Sequence, residues 1–304
     1  MYSFSTCWNT ERHQDGRTML LEVRQLGFEY AELSHGTRIS QLPGIYEAVN
    51  AREIKISSVH NFCPLPLGIE APSPNVFEFS DVRAYKRRAA IKNTISTIEF
   101  AAKVGAKFVV LHLGSLPICD FTSKLRRLLP RRSSRITAFA SLALRAWRVR
   151  RAKAPLYMEL VLESLKPILE KAREFDIKLG IEIRDKLEEL PIELDFKQLL
   201  EKLGLDVVCY WHDVGHAQIK HNLGFINHRT WLQQMSVYMG GLHVHDVINQ
   251  LSDHQAPGTG EVDFEMIAEF VKPQHIKVLE LAPNVPAEQI TAAYNLLKKI
   301  WGPE

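Results

Sequence analysis

Apolar runs that close on a polar side chain recur along the chain, and between them apolar residues return every three or four positions. The first pattern predicts buried strands, the second amphipathic helices. The strand-like runs are SFSTCWN, GFEYAELS, IKISSVHNF, Lys107–Leu113, IKLGIEIR, DVVCYWHD, GGLHVHDV and IKVLELA. Helical spacing is expected over Met19–Leu26, Ile39–Val49, Asp81–Val104, Tyr157–Phe175, Leu194–Leu203, Arg229–Met239, Phe264–Val271 and Ala287–Ile300. Asp81 fits an N-cap and Gly105 the position just past a helix end. Eight strands alternating with eight helices in 304 residues predict parallel βαβ units closed into a (β/α)8 TIM barrel, a single domain over residues 1–304. No GxGxxG follows the first strand and no GxxxxGK[ST] occurs, which argues against an open nucleotide-binding sheet.

One stretch departs from the alternation. Residues 119–155 form a basic insertion between the fourth strand and the fourth helix. From Phe121 to Met158 there are eleven Lys or Arg residues and no acid, although the whole chain carries only +3. An amphipathic segment, Ile136–Val149, places Phe139, Leu142, Leu144 and Trp147 among these arginines. Such a module suits a nucleic-acid arm, a lid, an oligomer contact or a membrane-surface element.

Composition adds boundaries. The four cysteines, Cys7, Cys63, Cys119 and Cys209, are scattered without CxxC pairing, so a reduced, cytoplasmic setting is expected and a cysteine-held zinc is not. The first residues lack the charged and apolar regions of a signal peptide. No apolar stretch reaches the length of a bilayer span.

Strand ends carry the chemistry in a barrel of this kind, because its loops gather at the C-terminal face. Side chains two apart on a strand share a face, which pairs Val110 with His112, Gly180 with Glu182, Trp211 with Asp213, His243 with His245 and Val278 with Glu280. Except in the His pair, the polar partner is the one nearer the mouth. A carboxylate isolated in an apolar strand is costly unless a cation or hydrogen-bonding partners compensate it. Glu182 in GIEI and Glu280 in LEL are two such residues, and a cation between them would account for both. Asp213 and His216 lie three apart, so a helical turn at Val214 brings them to one side. Any one histidine at a strand end is ordinarily a hydrogen-bonded structural residue; it is the joint presence of His60, His112, Glu182, Asp213, His243 and Glu280 that points to a metal. His13, His35, His221, His228 and His275 fall in helical or loop contexts and are expected at the surface. His212 is expected to pack outside the barrel. Asp246 is expected either to orient a ligand histidine or to cap the following loop.

The motifs SVHNF, VVLHLG, GIEIR, WHDVGHAQ, LHVHDV, HQAPGTGEVDF and VLELA, in this order, resemble the xylose isomerase-like TIM-barrel superfamily. It contains sugar phosphate isomerases and epimerases and the apurinic endonucleases of the endonuclease IV type. The resemblance implies one divalent ion (Mn, Mg, Co or Zn) held by Glu182, Asp213, His243 and Glu280. Glu182 and Glu280 would then act as acid and base in proton transfer next to a sugar carbonyl. His243 rather than His245 matches the family's His-x-x-Asp/Glu pattern. His216 and Glu188 would contact a small-molecule sugar. Asn249 stands where ketose epimerases have arginine. The alternative within the superfamily is a multi-zinc phosphodiesterase on abasic DNA, with His60 and His112 at a second metal and His216 and His254 at a third. There Ser252 replaces an Asp ligand for which Asp253 could substitute, and the basic insertion would meet nucleic acid. A sugar lyase or dehydratase could use the same metal site. A homo-oligomer is expected, and HQAPGTGEVDF is expected to close one side of the pocket.

Overall fold

The computed structural model describes residues 1–303. Eight parallel strands close into a barrel: β1 Tyr2–Ser5, β2 Tyr30–Leu33, β3 Lys55–His60, β4 Phe108–Leu111, β5 Lys178–Glu182, β6 Val208–Asp213, β7 Met239–Val244 and β10 Ile276–Leu279. Each lies within or overlaps one of the eight predicted runs. A two-stranded antiparallel hairpin, β8 (Asp246–Ile248) and β9 (Ser252–Gln255), leaves the mouth after β7. Helices α1 (Gly16–Gln25), α2 (Leu42–Asn50), α3 (Ala84–Lys103), α4 (Phe121–Leu128), α5 (Ile136–Glu174), α6 (Phe196–Leu203), α7 (Val214–Asn222), α8 (His228–Met235), α9 (Phe264–Ala268) and α10 (Ala287–Trp301) complete the fold.

The barrel axis is filled in two zones. At the lower level Trp211 packs with Val110, Ile276 and Val278 in an apolar plug. Glycine makes room for it: a Cβ on Gly180 would lie 2.8 Å from Trp211 Cε3, and one on Gly241 would lie 2.5 Å from Cη2. Above the plug the inward side chains are histidines and carboxylates, and the hydrophobic core proper lies between strands and helices.

Three expectations about elements are corrected. α3 begins at Ala84, not Asp81; the Asp81 carboxylate instead accepts from Arg83 N at 2.9 Å, tying the turn before the helix. The amphipathic segment and the helix expected from Tyr157 are one helix, α5, running through Pro155. Proline removes a backbone donor and crowds the preceding turn, but the buried residues Phe139, Ala146, Arg150, Ala154, Met158 and Val161 keep helical spacing across it. Tertiary packing of that stripe outweighs the local cost. The segment expected as helix up to Met239 ends at Met235, and Met239 opens β7.

The basic insertion is anchored by two ion pairs. Arg126 meets Asp185 at 2.6 Å. Arg150, 2% exposed, meets Glu193 at 2.9 Å, and Lys220 of α7 joins the same carboxylate. Two histidines expected at the surface are buried. His228 faces His212 at 3.1 Å and Gln218 at 3.1 Å, while His275 accepts from Lys272 N at 3.1 Å. Each is drawn inward because a polar partner satisfies its ring where it leaves water. His35 is also largely covered, with its ring 5.3 Å from that of His60. His13 is partly covered and His221 is exposed.

Candidate metal centre

Strand register brings the inward carboxylates and imidazoles to one level. Asp213 pairs with His243 across β6 and β7, and Val278 pairs with His243 across β10 and β7, so Glu280, two residues on, rises beside the ring. Ligand atoms of Glu182, Asp213, His243 and Glu280 all lie within 4.8 Å of one another. His243 Nδ1 is 3.1 Å from Glu280, 3.4 Å from Glu182 and 3.8 Å from Asp213. These four side chains come from four strands or strand ends, and all are buried.

The outer nitrogens of three histidines fix how the inner ones present themselves. A carboxylate or carbonyl oxygen only accepts, so the ring nitrogen facing it is the donor. His243 donates Nε2–H to Glu32 at 3.1 Å, and His60 donates Nδ1–H to the carbonyl of Asn61 at 3.0 Å. His112 donates Nδ1–H to Asn75 Oδ1 at 3.1 Å. A neutral ring then aims a lone pair inward. For His112 that lone pair meets Glu182 Oε2 at 2.7 Å, and for His60 at 3.4 Å. Lone pairs against carboxylate oxygens repel unless a cation lies between them, and metal-bound histidines characteristically spend their other nitrogen in this way. The donor set therefore fits a divalent ion.

Electrostatics agree. Burial raises the cost of charge on Glu182, but Arg184 outweighs it and holds the carboxyl well below its ordinary range. Burial also opposes charge on His243, yet Glu280 and Glu32 carry it well above the usual histidine value. His216 is likewise penalised by burial and carried by Asp213 up to about 10. His112 is pushed well below its usual value by burial and by Arg184, so it stays neutral. Ring protons and a divalent ion are two ways of neutralising the same carboxylates.

Two further groups flank the first. His60, His112 and Glu182 have ligand atoms within 4.8 Å, as do His216, His245 and His254. The second of these is already committed. His245 Nδ1 accepts from His254 N at 2.9 Å, so its Nε2–H donates to Asp213 at 3.0 Å. His245 thus orients Asp213. Asp213 also caps α7 by accepting from His216 N at 2.7 Å, which is why the helical turn starts where the strand ends. Asp253, not Ser252, approaches His254 at 3.3 Å and His216 at 3.9 Å; Ser252 is exposed.

Glu188 does not reach this group. Its carboxylate accepts from Phe121 N (2.8 Å), Thr122 N (3.2 Å) and Thr122 Oγ1 (2.6 Å), at the N-terminus of α4. Free amides at a helix start bind a carboxylate strongly. Its neighbour Glu189 turns the other way, accepting from Asn75 at 2.8 Å and lying 3.5 Å from Arg184. Both border a cavity of about 320 Å³ between the insertion and the mouth. Another hollow, lined by Phe108, Cys209 and His275, lies at the opposite end of the barrel. Asp246 caps its loop, accepting from Val247, Gly258, Gly260 and Val262 amides at 2.8 to 3.0 Å. It does not touch a candidate ligand.

Sequence reasoning passed over Glu32, Arg184, Glu189 and Asn75, and it set His245 aside as a ligand without seeing that it orients Asp213. Glu32 had a legible signal, an acid inside the apolar run YAEL, the same signature that singled out Glu182. Arg184 lies 2.9 Å from Glu182, and nothing in its local pattern marks it.

A family model described as xylose isomerase-like TIM barrel matches residues 20–300. No curated protein matches the sequence. Among solved structures, a putative xylose isomerase from Rhodospirillum rubrum is similar with TM-score 0.70 and 16% identity, covering 99% of this chain and 97% of that one. The 3-keto-D-glucoside 4-epimerase YcjR from E. coli gives 0.68 and 15%, with 98% of each chain covered. A D-psicose 3-epimerase from Clostridium cellulolyticum H10, solved with D-tagatose, gives 0.68 and 13%, with 99% of each chain covered. At such identities the structures share the fold, and the family match settles membership: the chain belongs to the xylose isomerase-like TIM barrel family.

Proposed function

We propose that the chain is a divalent-metal-dependent sugar isomerase or epimerase. The observation that carries this reading is the buried Glu182–Asp213–His243–Glu280 group, with donor atoms within 4.8 Å and outer partners that turn lone pairs inward. When bound, the ion would polarise a sugar carbonyl and lower the cost of negative charge on the adjacent oxygen. Glu182 and Glu280, on opposite sides of the substrate carbon, would exchange the proton on it. Arg184 would hold Glu182 ionised and thus competent as a base. Glu32 would fix the His243 ring, and His245 would fix Asp213. The similar structures named as epimerases support this class of chemistry. The same grounds favour a small-molecule sugar as partner.

One observation favours a second reading. The His60–His112–Glu182 group could take another ion through the same Glu182 carboxylate, as a polynuclear phosphodiesterase requires. The third group fits less well, because His245 has both nitrogens engaged.

Metal analysis of the purified chain separates the two. One Mn, Mg or Co per chain, with deuterium entering a ketose from heavy water, supports the first. Three zincs with cleavage of abasic duplex DNA would replace it with the second. Glu182→Gln and Glu280→Gln should each abolish turnover without unfolding the barrel; full activity in either removes the acid–base assignment.

A further inference from the structure

The barrel has no use for most of the charge in its insertion. Arg126 and Arg150 are spent on Asp185 and Glu193. The other nine cations between 121 and 158 are exposed, and none has a carboxylate within ion-pair distance among the described residues. Five of them are Arg131, Arg135, Arg145, Arg148 and Arg151. A surface this one-sided attracts polyanions.

The first half of α5 adds apolar area in a definite place. Ile136, Ala140, Leu144 and Trp147 follow one another at four, four and three residues, so they form one stripe along the helix. All four are exposed: Ile136 is 63%, Leu144 47% and Trp147 39% accessible. Arg148 lies beside this stripe, Arg145 is exposed farther round the helix, and the Arg151 guanidinium sits 5.2 Å over the Trp147 ring. The buried stripe of the same helix, Phe139, Ala146 and Arg150, lies about a quarter-turn away.

We propose that this face of α5 docks on the surface of an anionic phospholipid bilayer. The arginines complement the headgroup charge, and the Leu144–Trp147 stripe complements the boundary between headgroups and acyl chains. A nucleic-acid backbone would match the charge but leave the apolar stripe in water. A second copy would match the stripe but set like charges against each other. No helix of the described residues is long and apolar enough to cross a membrane, so the contact is peripheral. The inference does not depend on the chemistry at the barrel mouth.

Sedimentation of the full chain with vesicles tests it. Vesicles of equal parts phosphatidylserine and phosphatidylcholine should carry the chain down at low salt; phosphatidylcholine alone should not, and high salt should release it. Each arginine near the surface contributes about fivefold in affinity, so combining Arg145→Gln, Arg148→Gln and Arg151→Gln should weaken binding on the order of a hundredfold. Binding should also blue-shift tryptophan emission, and Trp147→Phe should abolish that shift. All four positions are exposed, and an unchanged unfolding midpoint verifies that each variant folds. No sedimentation with the anionic vesicles, equal sedimentation with neutral ones, or full binding by the triple variant overturns the proposal. So does displacement from the vesicles by duplex DNA at equal phosphate, which would assign the face to nucleic acid.

Discussion

The His243 ring donates Nε2–H to Glu32, 3.1 Å away, and both side chains are fully buried. Ser58 Oγ donates to the same carboxylate at 2.8 Å and holds it in place. The pair fixes which nitrogen of His243 faces Glu182, Asp213 and Glu280. Glu32→Gln keeps the shape but removes the charge that enriches the ring. Metal affinity, titrated into metal-free protein, should fall about 10- to 100-fold. Unchanged affinity would deny Glu32 that role.

Gly241 meets the barrel plug edge on. In Gly241→Ala the new methyl would press on Trp211 and lie 3.0 Å from the Ile276 carbonyl. The backbone cannot yield as a flexible side chain can, so overpacking should cost about 1–3 kcal/mol in chemical denaturation. A neutral substitution would show that the indole has room to move.

Glu188 and Glu189 should separate in their effects although adjacent. Glu188→Ala leaves two first-turn amides of α4 without their carboxylate, although Asp120 still caps the helix, with an expected loss of about 1–2 kcal/mol in stability and little change in KM. Glu189→Ala removes a neighbour of Arg184 on the site side, and KM or kcat should respond. The reverse pattern in steady-state kinetics would return Glu188 to the substrate.

Glu193 sets an acid-side stability ramp. Burial disfavours its charge, but Arg150 and Lys220 hold it at about 2, against 4.5 unperturbed. A depressed carboxylate contributes stability that is fully present above pH 4.5 and lost as pH falls toward 2, on the order of 3 kcal/mol. Glu193→Gln should flatten that part of the profile. At neutral pH it should also cost about 3–5 kcal/mol, because two buried cations lose their counterion.

A separate ramp belongs to His228. Burial, with His221 adding to it, lowers the ring to about 3 from 6.5. The unfolded chain therefore binds the extra proton, and this contribution is complete above pH 6.5 and declines as pH falls below it. Thermal midpoints between pH 6.5 and 4.5 should drop less steeply in His228→Gln. An identical slope would mean that the ring is protonated in the folded chain.

The strands were readable because burial on both faces demands unbroken apolar runs, and a polar residue at the end of such a run is conspicuous. The join in α5 was hidden because proline is a strong local signal, whereas the stripe that overrides it becomes visible only once its packing partners are placed. The hairpin was hidden for another reason. Its second strand is SDHQ, with no strand-favouring residue, and it pairs alongside a loop bound by the carboxylate of Asp246. Glu188 and Glu189 were indistinguishable by pattern, since loops have no period to say which neighbour turns inward. His228 and His275 were misplaced because a histidine's burial depends on partners far along the chain, not on its local context.

Trp211, braced by glycines on the two neighbouring strands, makes the barrel a blind well. Whatever reaches His243 must descend from the rim and leave by the same doorway. Incoming and outgoing molecules then exclude each other, so in a reversible enzyme of this shape a product should compete directly with its substrate.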